Sequence, residues 1–80
     1  LNCVEPKYPK LAIKRGYEGE LKLEVLILKS GIVKEVFIRE STGFEILDKA
    51  GVEQAFKLKF YPLTKNMYHV VQTTFNHPFN

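Results

Sequence analysis

The clearest pattern in the chain is an alternation of apolar and polar side chains between Glu20 and Leu28. Its apolar positions are Leu21, Leu23, Val25 and Ile27, interleaved with Lys22 and Glu24, and the second half adds Leu26 and Leu28. A period of two is typical of a strand with one buried face, and a stretch that is apolar on both faces is typical of a strand inside a sheet. We therefore predict a central strand here.

A second strand with a bulge is predicted after a tight turn. The turn, Lys29-Ser30-Gly31, is polar and ends on a residue that tolerates positive φ, as a hairpin requires. Val36 and Ile38 then alternate as in a half-buried strand, but Val33 lies three residues before Val36 and would fall on the wrong face. One extra residue at Lys34-Glu35, a β-bulge, returns Val33 to the core side.

A short helix is predicted before the first strand, over Lys10 to Arg15. Pro9 suits the first helical position, because its φ is already helical and its missing N–H would have no partner there. Tyr8 and Ala12 share one face, and Gly16 is placed to end the helix in the left-handed conformation. So short a helix must pack on the rest of the domain to be stable.

A second, longer helix is predicted after the second strand. Thr42-Gly43-Phe44-Glu45 has the form of a capping box, so the helix should begin near Phe44. Its apolar stripe is Phe44, Leu47, Gly51, Ala55 and Leu58. Gly51 weakens the helix by about 1 kcal/mol relative to Ala, so we expect it to permit a close approach of helix and sheet. Pro62 ends this helix or its extension.

Residues Tyr68 to Phe75 predict a third strand, because they are rich in β-branched and aromatic side chains. The order helix, strand, strand, helix, strand with a right-handed crossover predicts an α+β fold. Its three-stranded antiparallel sheet would have the order 2-1-3, with both helices on one face. The third strand would then be an edge strand, whose unpaired N–H and C=O groups form a template for a strand of another chain.

Composition is that of a single small folded domain. The 80 residues are 45% hydrophobic and 26% charged, with a net charge of +3 and no clustered basic tail. No apolar run approaches the roughly 20 residues that span a bilayer, and Cys3 alone cannot form an internal disulfide. We expect residues 1–7 to be an extended segment and 8–80 the folded domain. Because Leu1 is not an initiator Met, we expect a fragment or processed product whose anchor or address lies upstream.

Five pieces of the sequence, spread over about 55 positions, resemble the C-terminal domain of the TonB family. They are Tyr8-Pro9-x-x-Ala12, Tyr17-Glu18-Gly19-x-Leu21-x-Leu23, Gly31-x-Val33-x-x-Val36-x-Ile38-x-x-Ser41-Thr42-Gly43, Leu47-Asp48-x-Ala50 and Phe60-x-Pro62. TonB is the energy-transducing protein of Gram-negative bacteria. The resemblance implies a non-enzymatic periplasmic domain, anchored by an inner-membrane helix and driven by the ExbB-ExbD proton motor.

The resemblance also implies partners and a site. The domain would bind the TonB box of outer-membrane receptors by strand addition and transmit force for siderophore, metal or vitamin uptake, without a cofactor. The receptor-binding residues implied are Tyr68, His69, Val70, Val71, Gln72, Thr73, Thr74 and Phe75, together with Glu5, Pro6 and Lys7. A strand-swapped homodimer, which the open edge permits, is a further expectation from the family.

Two departures from the family pattern stand out. Leu58 occupies the place of a usual Trp, which implies a repacked core beside it. Glu5-Pro6-Lys7 replaces the usual Gln-Pro before Tyr-Pro, which weakens the mapping of receptor contacts there. Asp48 agrees with the family, but its place early in a helix also explains an acidic residue through the helix dipole.

Other functions are weighed against this one. A TolA-like domain or a regulatory envelope domain would share the fold and bind other proteins, whereas a nucleic-acid module would need a basic face with exposed aromatics. Ser41, Asp48 and a histidine would make a triad, but they read better as turn and cap residues. His69 and His77 lack partners at metal-ligand spacing. We therefore expect no catalytic site, no metal and no nucleic-acid partner.

Overall fold

The computed structural model describes residues 8–76. Its elements are α1 (Lys10–Arg15), β1 (Gly19–Ile27), β2 (Val33–Glu40), α2 (Glu45–Phe56) and β3 (Met67–Phe75). All five predicted elements are present in the predicted order. The strand limits differ from the prediction by one residue where β1 begins and ends and where β3 begins. None of the described helices is long and apolar enough to cross a membrane.

The sheet is antiparallel with the order β2-β1-β3, so the predicted α+β architecture is confirmed. The alternation in β1 places four side chains in the core: Leu21, Leu23, Val25 and Ile27. Against them pack Ala12 of α1 and Leu47, Gly51 and Ala55 of α2, so both helices cover one face of the sheet. We call the other side, which carries Lys22, Glu24 and Leu26 of β1, the open face.

The predicted bulge in β2 is confirmed at Lys34. Leu26 pairs with Glu35, but Ile27 pairs with Val33, so Lys34 is the extra residue. This insertion turns Val33 into the core, where it is buried.

A second bulge, which the sequence pattern does not predict, follows at Arg39. Lys22 pairs with Glu40 and Leu23 pairs with Ile38, which leaves Arg39 extra. Its guanidinium donates to Glu24 across the strands, with Nε 2.8 Å from Oε1. Ile38, predicted to be half-buried, is 46% exposed, because it lies on the outer strand beside an open groove under α2.

The predicted hairpin turn is confirmed, with Gly31 at φ +90°. Its N–H donates to the Leu28 carbonyl at 2.8 Å, and its own carbonyl accepts from Phe60 N at 2.9 Å. The turn is therefore held from both sides, by β1 and by the loop between α2 and β3.

The predicted capping box does not form, although the helix begins at Glu45 as expected. Thr42 Oγ1 accepts a hydrogen bond from Phe44 N at 3.1 Å, but Asp48, not Glu45, reaches back to Thr42. The Asp48 carboxylate accepts from Thr42 N at 2.9 Å, from Thr42 Oγ1 at 2.6 Å and from Ser41 Oγ. A carboxylate in the first turn of α2 thus ties the helix to the end of β2.

Electrostatics at this junction favour the charged carboxylate. Partial burial by itself would raise the pKa of Asp48, but the hydrogen bonds from Ser41 and Thr42 outweigh it. The pKa of Asp48 is therefore lowered, and the junction is strongest when this carboxylate is ionised.

Gly51 has the predicted role. A Cβ at this position would lie 2.1 Å from Leu21 Cδ2, so only glycine lets α2 approach β1 this closely. Leu58 completes the stripe from a partly buried position against the core. At α1, Pro9 is the N-cap and not the first helical residue, and the helix ends at left-handed Gly16 as predicted.

Tyr8 and Phe75 fasten the region before α1 to the sheet. The Tyr8 hydroxyl donates to the Tyr17 carbonyl, and its ring meets the Phe75 ring edge-to-face at 5.6 Å. Burial, and then the charge of Glu18, raise the pKa of the Tyr8 hydroxyl. This phenol therefore stays protonated and keeps donating its hydrogen bond through neutral pH.

Candidate strand-binding edge

The predicted receptor-binding strand lies at an edge of the sheet. β3 pairs with β1 without interruption, from Gly19 opposite Phe75 to Ile27 opposite Met67, and no other described strand lies on its far side. All eight predicted residues of Tyr68 to Phe75 belong to it. The other predicted site residues, Glu5, Pro6 and Lys7, lie outside the described residues.

Hydrogen bonds at the hairpin tell which β3 backbone groups face outward. Leu28 N donates to Ile32 O at 2.9 Å, so the backbone of Leu28 points toward β2. The next residue, Lys29, points the other way, because its N–H donates to Asn66 Oδ1 and its carbonyl accepts from Leu63 N, both at 2.8 Å. Successive residues of a strand alternate in this respect. The odd-numbered residues of β1 therefore bond to β3.

The register transfers this alternation to β3. Residues opposite odd-numbered positions of β1 use their backbone groups within the sheet: Met67, His69, Val71, Thr73 and Phe75. Residues opposite even-numbered positions direct N–H and C=O outward: Tyr68, Val70, Gln72 and Thr74. The predicted site thus divides into two alternating sets, a distinction that required the structure. An added strand would bond to the second set.

The two sets differ in their side chains as well. Tyr68 and Val70 are 58% and 54% exposed and stand on the open face. Phe75 is only 2% exposed, so its side chain serves the core. His69 lies edge-to-face with the Phe60 ring at 6.0 Å, which places it against the loop before β3. An added strand would therefore meet Tyr68 and Val70 on one side, with Gln72 further along.

The two outer strands offer very different edges. β2 has bulges at Lys34 and Arg39 and carries four charged side chains, the other two being Glu35 and Glu40. Bulges and charges are the usual protection of an edge strand against pairing with another chain. β3 has neither: its register is continuous and Met67–Phe75 contains no Asp, Glu, Lys or Arg. Of the two outer strands that the structure describes, β3 alone presents a regular edge without bulges or charged side chains.

A groove elsewhere contains Ser41 and Asp48, two residues of the triad weighed above. It has a volume of about 590 Å³ and lies between β2 and α2, beside Ile38, Ser41, Asp48 and Val52. Ser41 and Asp48 are hydrogen-bonded, but His69 lies on β3, on the far side of β1, so it does not complete a triad with them. His77 lies outside the described residues. Within residues 8–76, no cluster of His, Cys, Asp and Glu is arranged to hold a metal.

Comparison with known proteins agrees with this geometry. Residues 4–80 match the family described as Gram-negative bacterial TonB protein C-terminal. The chain is 42% identical over 57 residues to Protein tonB2 of Pseudomonas aeruginosa, covering 71% of this chain and 21% of that protein. It is 36% identical over 59 residues to Protein TonB of Vibrio cholerae, covering 74% and 24%. The chain thus spans about a quarter or less of these relatives.

Solved structures show the same fold. The solution structure of the Pseudomonas aeruginosa TonB C-terminal domain superposes with a TM-score of 0.79 at 23% identity, over 95% of this chain and 82% of that one. A Helicobacter pylori TonB C-terminal domain gives a TM-score of 0.75 at 25% identity, over 89% and 68%. With a family match that extends over residues 4–80, the chain belongs to the TonB C-terminal domain family.

Proposed function

We propose that this domain is the receptor-binding end of a periplasmic energy transducer and captures the TonB box of outer-membrane receptors as a fourth strand beside β3. The observation that carries the proposal is the contrast between the two edges. β3 is continuous and uncharged, whereas β2 is bulged and charged. Membership of the TonB family supports the same partner class.

The proposed role is mechanical and not catalytic. Strand addition relies on backbone hydrogen bonds, so one edge serves receptors of different sequence. Each bond contributes only about 1 kcal/mol net, so affinity is modest, but a pull along the strand loads many bonds together. In the proposed assembly an inner-membrane anchor and the ExbB-ExbD motor supply that pull, which opens the receptor for siderophore, metal or vitamin uptake.

A peptide titration tests the capture step. The 15N-labelled domain is titrated with a synthetic TonB-box peptide with blocked termini, and with two further versions of it, each N-methylated at one of the two alternating sets of residues. We expect amide shifts concentrated in Met67–Phe75 with the unmodified peptide and their loss with the version methylated on the side that faces β3. Shifts confined to the helices, or equal binding of all three peptides, would refute strand addition.

A second measurement separates the two parts of the predicted site. Deleting residues 1–7 removes Glu5, Pro6 and Lys7, which we propose touch the receptor outside its TonB box. Affinity for an intact receptor should fall, while affinity for the isolated box peptide stays within about twofold. An equal loss for both ligands would show that this segment supports the β3 edge itself.

A further inference from the structure

Charge is distributed unevenly around the candidate edge. All nine acidic residues lie at or before Glu53, so the last part of the chain, from Gln54 to Asn80, contains three lysines and no Asp or Glu. These lysines, Lys57, Lys59 and Lys65, belong to the segment that leads from α2 into β3. The charged side chains of the segment between α2 and β3 are therefore all positive.

Backbone contacts bring three lysines together where β3 begins. Lys59 forms a bridge with Ile32, beyond the hairpin turn. Lys29, in the turn itself, is hydrogen-bonded through its backbone to the segment that contains Lys65, by way of Leu63 and Asn66. Met67 starts β3 directly afterwards. We call Lys29, Lys59 and Lys65 the basic end.

The lysines of the basic end have no ion-pair partner among residues 8–76. All three are exposed. The ion pairs found among residues 8–76 are Lys22 with Glu40 and Arg39 with Glu24, both elsewhere on the sheet. At the other end of the β3 edge, exposed Glu20 lies across from Thr74. The group of lysines therefore marks the end of the edge where β3 begins.

We propose that the strand captured by β3 carries acidic side chains at the end that lies beside the basic end, and that this charge fixes its direction and register. The inference rests on the proposed function, since it needs a strand on β3. Backbone hydrogen bonds form almost equally well in several registers, so they discriminate weakly between them. A charge at one end of the captured strand favours the single register that brings it beside the lysines. Because the lysines are exposed, the effect is moderate and disappears with salt.

Charge-placed peptides test the proposal. The probes are synthetic peptides of alternating Val and Thr with blocked termini, carrying a pair of Glu at the amino end, the same pair at the carboxyl end, or Gln in place of Glu. At low salt we expect one Glu placement to bind about three- to tenfold more tightly than the Gln peptide and the other placement to gain nothing. The favoured placement reports the strand direction. High salt should bring the three affinities together.

A matched pair of variants assigns the effect to the basic end. Lys59→Gln with Lys65→Gln removes two charges there, and Lys10→Gln with Lys49→Gln removes two exposed charges from the helices. We expect the first variant to lose the preference for the favoured Glu peptide and to bind the Gln peptide as the wild type does. The helix variant should keep the preference.

The outcomes separate this inference from the proposed function. If the peptides shift amides of β3 but bind equally whatever their charge placement, strand capture stands and the charge reading is overturned. Equal loss of preference in both lysine variants would also overturn it, because net charge would then explain the effect. If no peptide shifts β3 at all, the proposed function fails first.

Discussion

At the scale of single residues, two glycines with the same positive φ differ in the space around them. Gly31 has φ +90°, and a Cβ there would lie 2.0 Å from the Phe60 carbonyl oxygen. Gly43 has the same φ, but a Cβ there would meet nothing within 4 Å. The two sites thus share a backbone conformation and differ in surroundings, which makes them a matched pair. A sequence shows the turn glycine but not the carbonyl packed against it.

Replacing each glycine by alanine separates the cost of a positive φ from the cost of a steric overlap with the Phe60 carbonyl. Gly43→Ala should lower the free energy of unfolding by about 1–2 kcal/mol, the usual cost of an unfavourable φ. Gly31→Ala should cost roughly 2 kcal/mol more, because a rigid carbonyl must move as well. Urea unfolding followed by circular dichroism measures both. An equal decrease in the free energy of unfolding for the two variants would show that the loop at Phe60 moves aside without cost.

Gly51 offers a second test, based on coupling to Leu21. Alanine gains about 1 kcal/mol of helix propensity, but its Cβ would overlap a fully buried leucine, and overpacking costs about 1–3 kcal/mol. We expect Gly51→Ala to destabilise the domain by about 1 kcal/mol. In a Leu21→Ala background the same change should be stabilising, because the methyl group then fills the cavity. Strict additivity in this double-mutant cycle would refute close packing at Gly51.

At the scale of elements, the junction between β2 and α2 depends on one carboxylate. Ser41 and Thr42 donate to Asp48 and lower its pKa, although burial opposes this. The sequence pattern pointed to Glu45 instead, because capping boxes are defined by spacing, whereas the real choice depends on how the chain leaves β2. Asp48, whose place early in the helix suggests only an interaction with the helix dipole, is therefore the residue that ties α2 to β2.

The junction should make stability depend on acid. An Asp with a lowered folded-state pKa contributes stability that is complete above its unfolded pKa of about 3.9 and is lost as pH falls through the folded value. Asp48→Ala should cost about 1–2 kcal/mol at pH 7 and less below pH 3. Urea unfolding at a series of pH values measures this, with Glu45→Ala as the control. A loss that is constant across pH would contradict the assignment.

The edge strand gives a prediction about backbone groups. Gln72 directs its N–H outward, so Gln72→Pro should leave the free energy of unfolding within about 1 kcal/mol while weakening TonB-box peptide binding about five- to thirtyfold. Val71→Pro removes a bond to β1 and should cost about 3 kcal/mol or more. Calorimetric titration and urea unfolding measure the two effects. If the proline changes had the reverse effects, the alternation assigned to β3 would be wrong.

At the scale of the whole molecule, the arrangement of helices and strands could be predicted from the sequence, whereas the arrangement of surface charges could not. Period-two alternation in β1 and the stripe of α2 determine which faces are buried, and the chain order then leaves few topologies. The bulge at Lys34 was predictable because Val33 would otherwise face solvent. The bulge at Arg39 had no such signal, since both neighbours of Arg39 are exposed. The gathering of lysines at one end depends on loop contacts that spacing does not encode.

A homodimer through β3 remains a prediction at this scale. If two copies pair by this edge, the weight-average mass in sedimentation equilibrium should rise with concentration, and Gln72→Pro should suppress the rise. A TonB-box peptide should suppress it too, because both partners need the same backbone groups. Self-association that persists with the peptide bound would place the dimer contact elsewhere.

The irregular pairing of β2 has a consequence for assembly. A sheet with two receptive borders can grow head-to-tail without limit, since each added copy presents a fresh border to the next. Among the described strands, Lys34 and Arg39 interrupt the pairing pattern of β2, so a strand added at β3 would occupy the one regular edge. We therefore expect a domain that has bound one strand at β3 not to add further copies through its sheet.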